Sequence, residues 1–255
     1  MANHFDTQVR QAEEYAISLL ASRMQGLDED DWSTLRDLPV LHRFIGRNRP
    51  ILTDGGHVSC LRVLCKGWAI RVVELDEQRR QILDFVLPGD VIGLHMDGGQ
   101  VSTSHVIALT ACEIGEIELR ELERVARARP AVSAGLRHHL TRELSQSNDQ
   151  IVRLGRMTAY ERVCSFLLDI YLRQRRRSPG SRAVDFPITQ TVVADALGLS
   201  VVHVNRQVMQ LRREGLVTLN RKQLMVHDAN RLAEVCGIRN RRFEAEPPVM
   251  LEAAE

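Results

Sequence analysis

The sequence predicts an α+β fold built from N-terminal helices, a β-roll (a double-stranded β-helix), a long helix and a C-terminal winged helix-turn-helix. Two observations carry this prediction. Residues 51–119 contain short apolar runs separated by glycine turns, whereas the residues on either side have helical spacing. Residues 187–217 have the pattern of two short helices joined at a glycine. The 255 residues are enough for two hydrophobic cores.

The N-terminal part is predicted to hold two helices followed by short strands, whose spacing and turn signals suit a β-barrel or the double-sheet roll named above. Apolar residues recur with helical spacing in residues 6–24, and a second helix is expected at 28–38 with Trp32 and Leu35 facing inward. The predicted strands are Leu61–Cys65, Ala69–Leu75, Gln81–Leu87, Val91–Leu94, His105–Thr110 and Cys112–Ile117.

A long helix is predicted from Pro130 to about Arg156, because proline is favoured in the first turn of a helix. Its inward positions repeat at steps near 3.5, which is the spacing of a coiled-coil seam. We therefore expect the helix to pair with a second copy of the chain, and packing against its own roll is the alternative. The predicted seam consists of Leu136, Leu140, Glu143, Ser147, Ile151 and Leu154.

These patterns divide the chain into four predicted segments. Residues 1–130 form the N-terminal helices and the roll, for which the resemblance described below implies a sensory role. Residues 131–157 form the dimerisation helix, and residues 158–243 form the winged helix-turn-helix. Residues 244–255 are acidic, contain Pro247-Pro248 and are expected to be a disordered tail.

The helix-turn-helix is predicted from its caps and its turn. Thr189 caps the first helix, Gly198 ends it, and Ser200 caps the second helix. The second helix has Val204, Val208 and Leu211 on its inner face, and its predicted outward residues are His203, Asn205, Arg206, Gln207 and Gln210. Two short strands, at residues 216–219 and 223–226, are expected to form a wing around Asn220, Arg221 and Lys222.

Such a polar face suits the major groove of DNA, where arginine pairs with guanine and asparagine with adenine. His203, Asn205 and Arg206 are therefore candidate readers of bases, with Arg206 first. The candidate contacts to the DNA backbone are Thr189, Gln190, Ser200, Arg212, Arg221 and Lys222. A helical hairpin with a solvated polar face is the alternative interpretation.

Charge is distributed unevenly along the chain. Residues 150–243 carry 17 Lys and Arg against 7 Asp and Glu, a net +10, whereas the whole chain is only +1 and the remainder is therefore −9. A basic module joined to an acidic one is expected when one of them attracts the phosphate backbone. Double-stranded DNA is thus the predicted partner.

Other sequence features argue against a secreted protein, a membrane protein and an enzyme. The first residues do not resemble a signal peptide, no apolar stretch is long enough to span a membrane, and the five cysteines include no CxxC pair. We therefore expect a cytoplasmic protein with reduced thiols. No nucleophile with a nearby base, no metal-ligand spacing and no P-loop is present, so the sequence predicts no enzyme, no catalytic residue and no metal site.

Three motifs in this order resemble those of the Crp/Fnr family of bacterial transcription regulators. They are LPGDVIGL at 87–94, RMTAYERV at 156–163 and ADALGLSVVHVNR at 194–206, and the resemblance extends from about Trp32 to Gly237. It implies a sensory roll like the cyclic nucleotide-binding domain. It also implies a homodimer that binds a pseudo-palindromic site and often activates transcription by contacting RNA polymerase.

The resemblance also implies how the second helix reads DNA. Many members have a glutamate, then a polar residue and an arginine, and the matching positions here are Val202, Asn205 and Arg206. Glutamate accepts from the amino group of cytosine, whereas Val202 can only touch a thymine methyl. Val202 is therefore added to the candidate base readers, and the half-site is expected to differ at that base.

The matching sensory residues lack the groups with which family members hold cyclic AMP, namely a glutamate after the PGD turn and an Arg-Ser pair. The candidate effector pocket instead contains Gly93, Leu94, His95, Ser102, Thr103, Ser104, Ser147 and Asn148. We therefore expect a regulator that works without an effector or answers another signal, including a nucleotide-like one. No cofactor is predicted, and an iron-sulfur cluster is not expected because no cysteine precedes Cys60. The alternative is a sensor of haem or another small ligand that acts through protein contacts, with His95, His105 or Cys112 as a haem ligand.

Overall fold

The structure, a computed structural model, describes residues 2–76, 79–94, 101–176, 181–220 and 222–237. The chain forms two compact units. The described residues of one unit fall within Met1–Val73 and Asp84–Gln146, and those of the other fall within Glu74–Leu83 and Ser147–Glu255. Within the described residues, no helix combines the length and the apolar character needed to cross a membrane.

The first unit begins with two helices, α1 (Ala2–Ala21) and α2 (Glu29–Arg36). Asp28 and Asp31 form a capping box at the start of α2, so two backbone N–H groups there are satisfied by side chains. The inner residues of α1 are almost fully buried, including Ala16, Ile17 and Leu20. Both helices lie where the sequence predicts them.

The roll consists of two antiparallel four-stranded sheets. The strands are β1 (Val40–Ile45), β2 (Pro50–Leu52), β3 (Cys60–Lys66), β4 (Ala69–Asp76), β5 (Arg79–Val86), β6 (Val91–Ile92), β7 (His105–Ala108) and β8 (Cys112–Glu118). One sheet has the order β1-β8-β3-β6 and the other has the order β2-β7-β4-β5. The predicted α+β class with a roll is confirmed, although the roll begins at Val40, before the first predicted strand.

Two helices follow the roll, α3 (Leu119–Ala128) and the long α4 (Pro130–Arg156), whose bounds match the prediction. Gly135 lies against Met24, where any Cβ would collide with the methionine side chain, so glycine permits this close approach. The division between the two units falls within α4, after Gln146. The predicted separate helical segment at 131–157 remains a prediction.

The predicted seam of α4 differs from the exposed face of this helix. Leu136 is buried at 1% exposure in its own unit, and Glu143 pairs with Arg71 at 2.5 Å, so neither side chain is free for a partner. Leu140 and Leu154 are half-buried. The large apolar side chains that α4 exposes are Leu144, Ile151 and Val152. The cause is that α4 also packs on its own chain, which uses part of its apolar surface.

The second unit contains α5 (Ala159–Arg175), β9 (Ala183–Asp185), α6 (Gln190–Leu197), α7 (Val201–Arg213), β10 (Val217–Asn220), β11 (Gln223–Val226) and α8 (Ala229–Val235). Its strands form an antiparallel sheet in the order β10-β11-β9. Thr158 and Glu161 form a capping box that starts α5. Three predicted features, His95, Arg221 and the tail at 244–255, lie outside the described residues.

Candidate nucleic-acid interface

The turn between α6 and α7 forms through the residues that predicted it. The Thr189 hydroxyl accepts a hydrogen bond from the backbone N–H of Val192 at 3.3 Å and caps α6. Gly198 ends this helix with φ 61° and ψ 39°, a left-handed conformation that glycine adopts without a Cβ penalty. The Ser200 hydroxyl accepts from the backbone N–H of His203 and caps α7.

Helix α7 has one buried face and one exposed face. Val204, Val208 and Leu211 are buried, as predicted. Gln207 is also buried, at 6% exposure, which corrects its predicted outward position. The reason is helical spacing, because Gln207 follows Val204 by three residues and precedes Leu211 by four.

The exposed face of α7 carries the four candidate base readers. Val202, His203, Asn205 and Arg206 are all exposed, with Val202 at 77%. Within the described part of the chain, the side chains of Asn205 and Arg206 have no hydrogen-bond or ion-pair partner. His203 lies with Nδ1 3.1 Å from the Ser200 hydroxyl. The asparagine amide and the arginine guanidinium are thus free to bind a ligand outside the chain.

The candidate backbone contacts lie around this face, in the same unit. Gln190, Ser200 and Arg212 are exposed, and the Arg212 guanidinium donates to the Leu219 carbonyl, which joins the end of α7 to β10. Lys222 is exposed in the turn between β10 and β11 and has a left-handed φ of 68°. Thr189 and Ser200 also use their hydroxyls as helix caps.

Two side chains that bind the end of α6 were not found from the sequence. The last carbonyls of α6 accept hydrogen bonds from Gln150 at Ala196 O, 2.7 Å, and from Arg162 at Leu197 O, 3.0 Å. Helix ends leave such carbonyls without a partner in their own helix. These donors lie 46 and 35 residues before their acceptors, so helical spacing could not reveal them.

Tyr160 contacts the C-terminal end of α7, the helix that carries the candidate base readers and is called the reading helix below. Its hydroxyl donates to the carboxylate of Glu214, the C-cap residue of α7. The hydrogen bond from Tyr160 lowers the pKa of Glu214, and the pKa of Tyr160 is raised, first by burial and then by this bond. The RMTAYERV segment therefore contacts both helices of the motif, α6 through Arg162 and α7 through Tyr160.

Comparison with known proteins gives the family. A model of the Crp-like helix-turn-helix domain matches residues 161–235, and a model of the cyclic nucleotide-binding domain matches residues 42–129. The transcriptional activatory protein AadR of Rhodopseudomonas palustris is 34% identical over 194 residues, which cover 74% of this chain and 79% of AadR. The chain belongs to the Crp/Fnr family.

Two further relatives agree. The transcriptional activator protein FnrL of Cereibacter sphaeroides is 28% identical over 215 residues, covering 82% of this chain and 86% of FnrL. The solved structure of FixK2 from Bradyrhizobium japonicum matches with a TM-score of 0.70 at 26% identity, over 78% of this chain and 98% of FixK2. The resemblance drawn from the motifs is confirmed, and this Crp/Fnr protein is a DNA-binding transcription regulator.

The roll of this Crp/Fnr regulator is filled with its own side chains. Its interior holds a continuous cluster of buried residues: Ile51, Leu52, Val58, Leu64, Ala69, Val86, Ile92, Val106, Ala108, Cys112 and Ile114. The buried Ser102 hydroxyl donates to the Ser104 carbonyl at 2.7 Å, and the Ser102 backbone bonds to both Gly55 and Gly56. Ser102 and Ser104 are thus brought together, but their polar groups form a turn.

The other candidate pocket residues differ in burial. Leu94 is buried, and Gly93 has a φ of 79° and packs so closely on Val58 that a Cβ would lie 2.7 Å from its side chain. Thr103, Ser147 and Asn148 are exposed. These positions supply hydroxyl and amide groups and an apolar side chain, but no carboxylate and no guanidinium.

The PGD turn has a structural role in this regulator. One carboxylate oxygen of Asp90 accepts from the backbone N–H of Leu87 at 2.7 Å, and the other accepts from the Arg23 guanidinium at 2.6 Å. Asp90 therefore closes its own turn and attaches it to the segment that follows α1.

The candidate haem ligands are engaged in part by the protein. His105 Nδ1 accepts from the backbone N–H of Asp54 at 3.3 Å. The Cys112 thiol donates to the Trp68 carbonyl at 3.3 Å, and burial raises the pKa of this thiol, which keeps it protonated. A protonated thiol is a poor metal ligand. Among the described residues, no group of three or more His, Cys, Asp and Glu side chains is arranged to hold a metal ion.

Proposed function

We propose that this regulator is a sequence-specific activator that binds a pseudo-palindromic DNA site as a homodimer and does not need cyclic AMP. The observation that carries the proposal is the outer face of α7. Asn205 and Arg206 lie on a capped helix, exposed and without partners among the described residues. Their amide and guanidinium groups match the edges of adenine and guanine in the major groove.

The homodimer is supported by α4. Thr141, Leu144, Asn148 and Ile151 follow one another at steps of three and four residues and are all exposed, with Leu144 at 63% and Ile151 at 67%. This spacing places them on one stripe of the helix, as in the seam of a two-stranded coiled coil. A two-fold axis along the stripe relates two reading helices and therefore requires two related half-sites.

Activation is supported by the relatives. AadR and FnrL are named as transcriptional activators, and both match most of this chain. We extend that role to this protein and propose that it contacts RNA polymerase when bound upstream of a promoter.

Independence from cyclic AMP is supported by the roll. Its interior is occupied by aliphatic side chains, and the matching pocket positions have no acid for the ribose and no arginine for the phosphate. A cyclic phosphate bound there would lack a charged partner. The regulator therefore acts without an effector or answers a different signal.

The experiment is selection of DNA from a random pool by the purified full chain at moderate salt, with no added ligand. Enrichment of a two-fold symmetric site, with half-sites about one helical turn apart, is the expected result. Binding that is only salt-sensitive and blind to sequence would contradict the proposal. That outcome would favour the sensor that acts through protein contacts.

A further inference from the structure

A cavity of about 190 Å³ lies in the helix-turn-helix unit beneath the inner face of α7. Its inner walls are apolar and come from three helices: Val163 and Leu167 of α5, Val193 of α6, and Val204 and Val208 of α7. These side chains are at most 5% exposed, so the walls belong to the hydrophobic core of the unit. We refer to this space as the α7 cavity.

The α7 cavity is large enough for a small organic molecule. Apolar cavities of ~150 Å³ in protein cores hold one benzene ring. Side chains that line an unfilled space also lose dispersion contacts, so an apolar body of the right size is attracted to it. The volume therefore suits a single ring or a short branched chain.

The mouth of the α7 cavity is polar and cationic. The exposed residues that line it are Gln190, Arg212, Asn220, Lys222 and Gln223. No acidic side chain is found among the described residues that line the cavity. Arg212 donates one hydrogen bond to the Leu219 carbonyl, and a guanidinium has further N–H donors. The mouth is complementary to an anion.

We propose that the α7 cavity binds a small organic acid, with its apolar body between α5 and α7 and its carboxylate at Arg212 and Lys222. The ligand is defined by two features together, an apolar body of about one ring and a single negative charge.

A bound acid would weaken DNA binding, a consequence that rests on the proposed function. Arg212 and Lys222 are also the proposed contacts to DNA phosphates, so a carboxylate and a phosphate compete for the same cations. Val204 and Val208 lie on the inner face of the reading helix, so the ligand also contacts the element that positions Arg206. Coupling between two binding sites is reciprocal, so bound DNA must lower the affinity of the protein for the acid by the same factor.

The first test measures binding of 4-fluorobenzoate to the full chain by fluorine NMR, without DNA. Saturable line broadening that benzoate reverses is expected, whereas benzyl alcohol, which lacks the charge, and acetate, which lacks the ring, should not reverse it. No broadening, or equal displacement by benzyl alcohol, would overturn the proposal.

Two variants locate the site. Val208→Phe fills the inner wall, and Lys222→Gln removes a charge from an exposed turn without touching the core. Each should weaken 4-fluorobenzoate binding by about tenfold or more, the loss expected for one good contact. Arg213→Gln is the matched control, because Arg213 is an exposed cation of the same helix that does not line the cavity. Wild-type affinity in Lys222→Gln, or an equal loss in Arg213→Gln, would contradict the site even if Val208→Phe failed to fold.

A second readout separates this proposal from the proposed function. Benzoate should lower the affinity of the wild type for its selected DNA site and should have less effect on Lys222→Gln. If the acid binds but no DNA site is selected, the proposed function fails and the cavity site stands. If a DNA site is selected but 4-fluorobenzoate does not bind, only the cavity proposal fails.

Discussion

Arg162 donates a hydrogen bond from its guanidinium to the carbonyl of Leu197 at 3.0 Å, which joins α5 to the last residue of α6. The same guanidinium donates to the carbonyl of Met157 at 2.9 Å. Its charged donors therefore satisfy two carbonyls that lack helical partners, and such bonds are among the stronger hydrogen bonds in proteins. The contact lies directly before Gly198, the left-handed residue at which the chain leaves α6.

Gly198→Ala tests the turn that follows this contact. A Cβ at Gly198 would meet only ordinary contacts, the nearest being Arg162 Nη1 at 3.7 Å, so the expected cost comes from the backbone φ of 61°. We expect a loss of about 1–2 kcal/mol in the free energy of unfolding, measured by denaturant titration of the full chain. Gly155→Ala is the control, because Gly155 lies in α4 with open space around it, and alanine there should stabilise by about 0.5–1 kcal/mol. Equal effects of the two changes would contradict the account of the turn.

Val202→Glu tests how the exposed face of α7 selects bases. Val202 is 77% exposed in the first turn of the helix, where a carboxylate is also favoured by the helix dipole, so the variant should fold normally. Because glutamate accepts from the amino group of cytosine, selection from a random pool should gain cytosine at one symmetric position. Met209→Glu lies at an exposed position two turns further along α7. It should lower the affinity for DNA of every sequence without changing which bases are preferred. An unchanged site for Val202→Glu would place this residue outside the groove.

His139 should make the first unit sensitive to acid. Its Nε2 lies 3.1 Å from the Leu20 carbonyl and donates to it, and burial lowers the pKa of His139 to about 4 from 6.5, with Arg23 and Arg142 acting in the same direction. The unfolded chain therefore takes up a proton that the folded chain excludes. The free energy of unfolding should fall as the pH drops from about 6.5 towards 4, by up to about 1.4 kcal/mol per pH unit, and this contribution should be constant above 6.5.

The control for that prediction is the neighbouring histidine. His139→Gln should remove part of the pH dependence of the free energy of unfolding between pH 4 and 6.5, measured by denaturant titration at each pH. His138→Gln should leave it unchanged, because His138 is exposed. An identical pH profile for wild type and His139→Gln would show that His139 is not the group responsible.

Ile151→Glu tests the proposed homodimer. A carboxylate on the exposed stripe of α4 would face its own copy across the two-fold axis, where like charges repel and apolar burial is lost. We expect the variant to sediment as a monomer at concentrations where the wild type is a dimer. His138→Glu adds the same charge to α4 about a third of a turn away from the stripe and should remain dimeric. A dimeric Ile151→Glu would require a different interface.

The sequence predicts well those elements whose signals are local. Caps and turns, such as Thr189, Gly198 and Ser200, act over three or four residues, so α6 and α7 lie where they are predicted. The strand β1 is not predicted because it is an edge strand with Phe44 76% exposed, and its apolar and polar residues do not alternate in step with burial.

Other features depend on contacts between distant segments. Leu136 and Glu143 fit the period of a seam, but α4 shares its apolar face with its own unit, and Arg71 is 72 residues away from Glu143 along the chain. The hydrogen bond from Arg162 to Leu197 of α6 spans 35 residues of sequence, and the bond from Tyr160 to Glu214 at the end of α7 spans 54. A single sequence shows which residues alternate, but it does not show which surface each face will meet.

The central claim is that α7 reads bases, and Arg206→Ala tests it most directly. The affinity of this variant is measured on the DNA site selected by the wild type and on random DNA, at the same salt. For Arg206→Ala we expect a loss of about 1–3 kcal/mol in the free energy of binding to the selected site, a relaxed preference at one base pair and little change in binding to random DNA. Lys222→Ala should instead weaken binding to the selected site and to random DNA alike. Equal losses for Arg206→Ala on selected and random DNA would contradict the account.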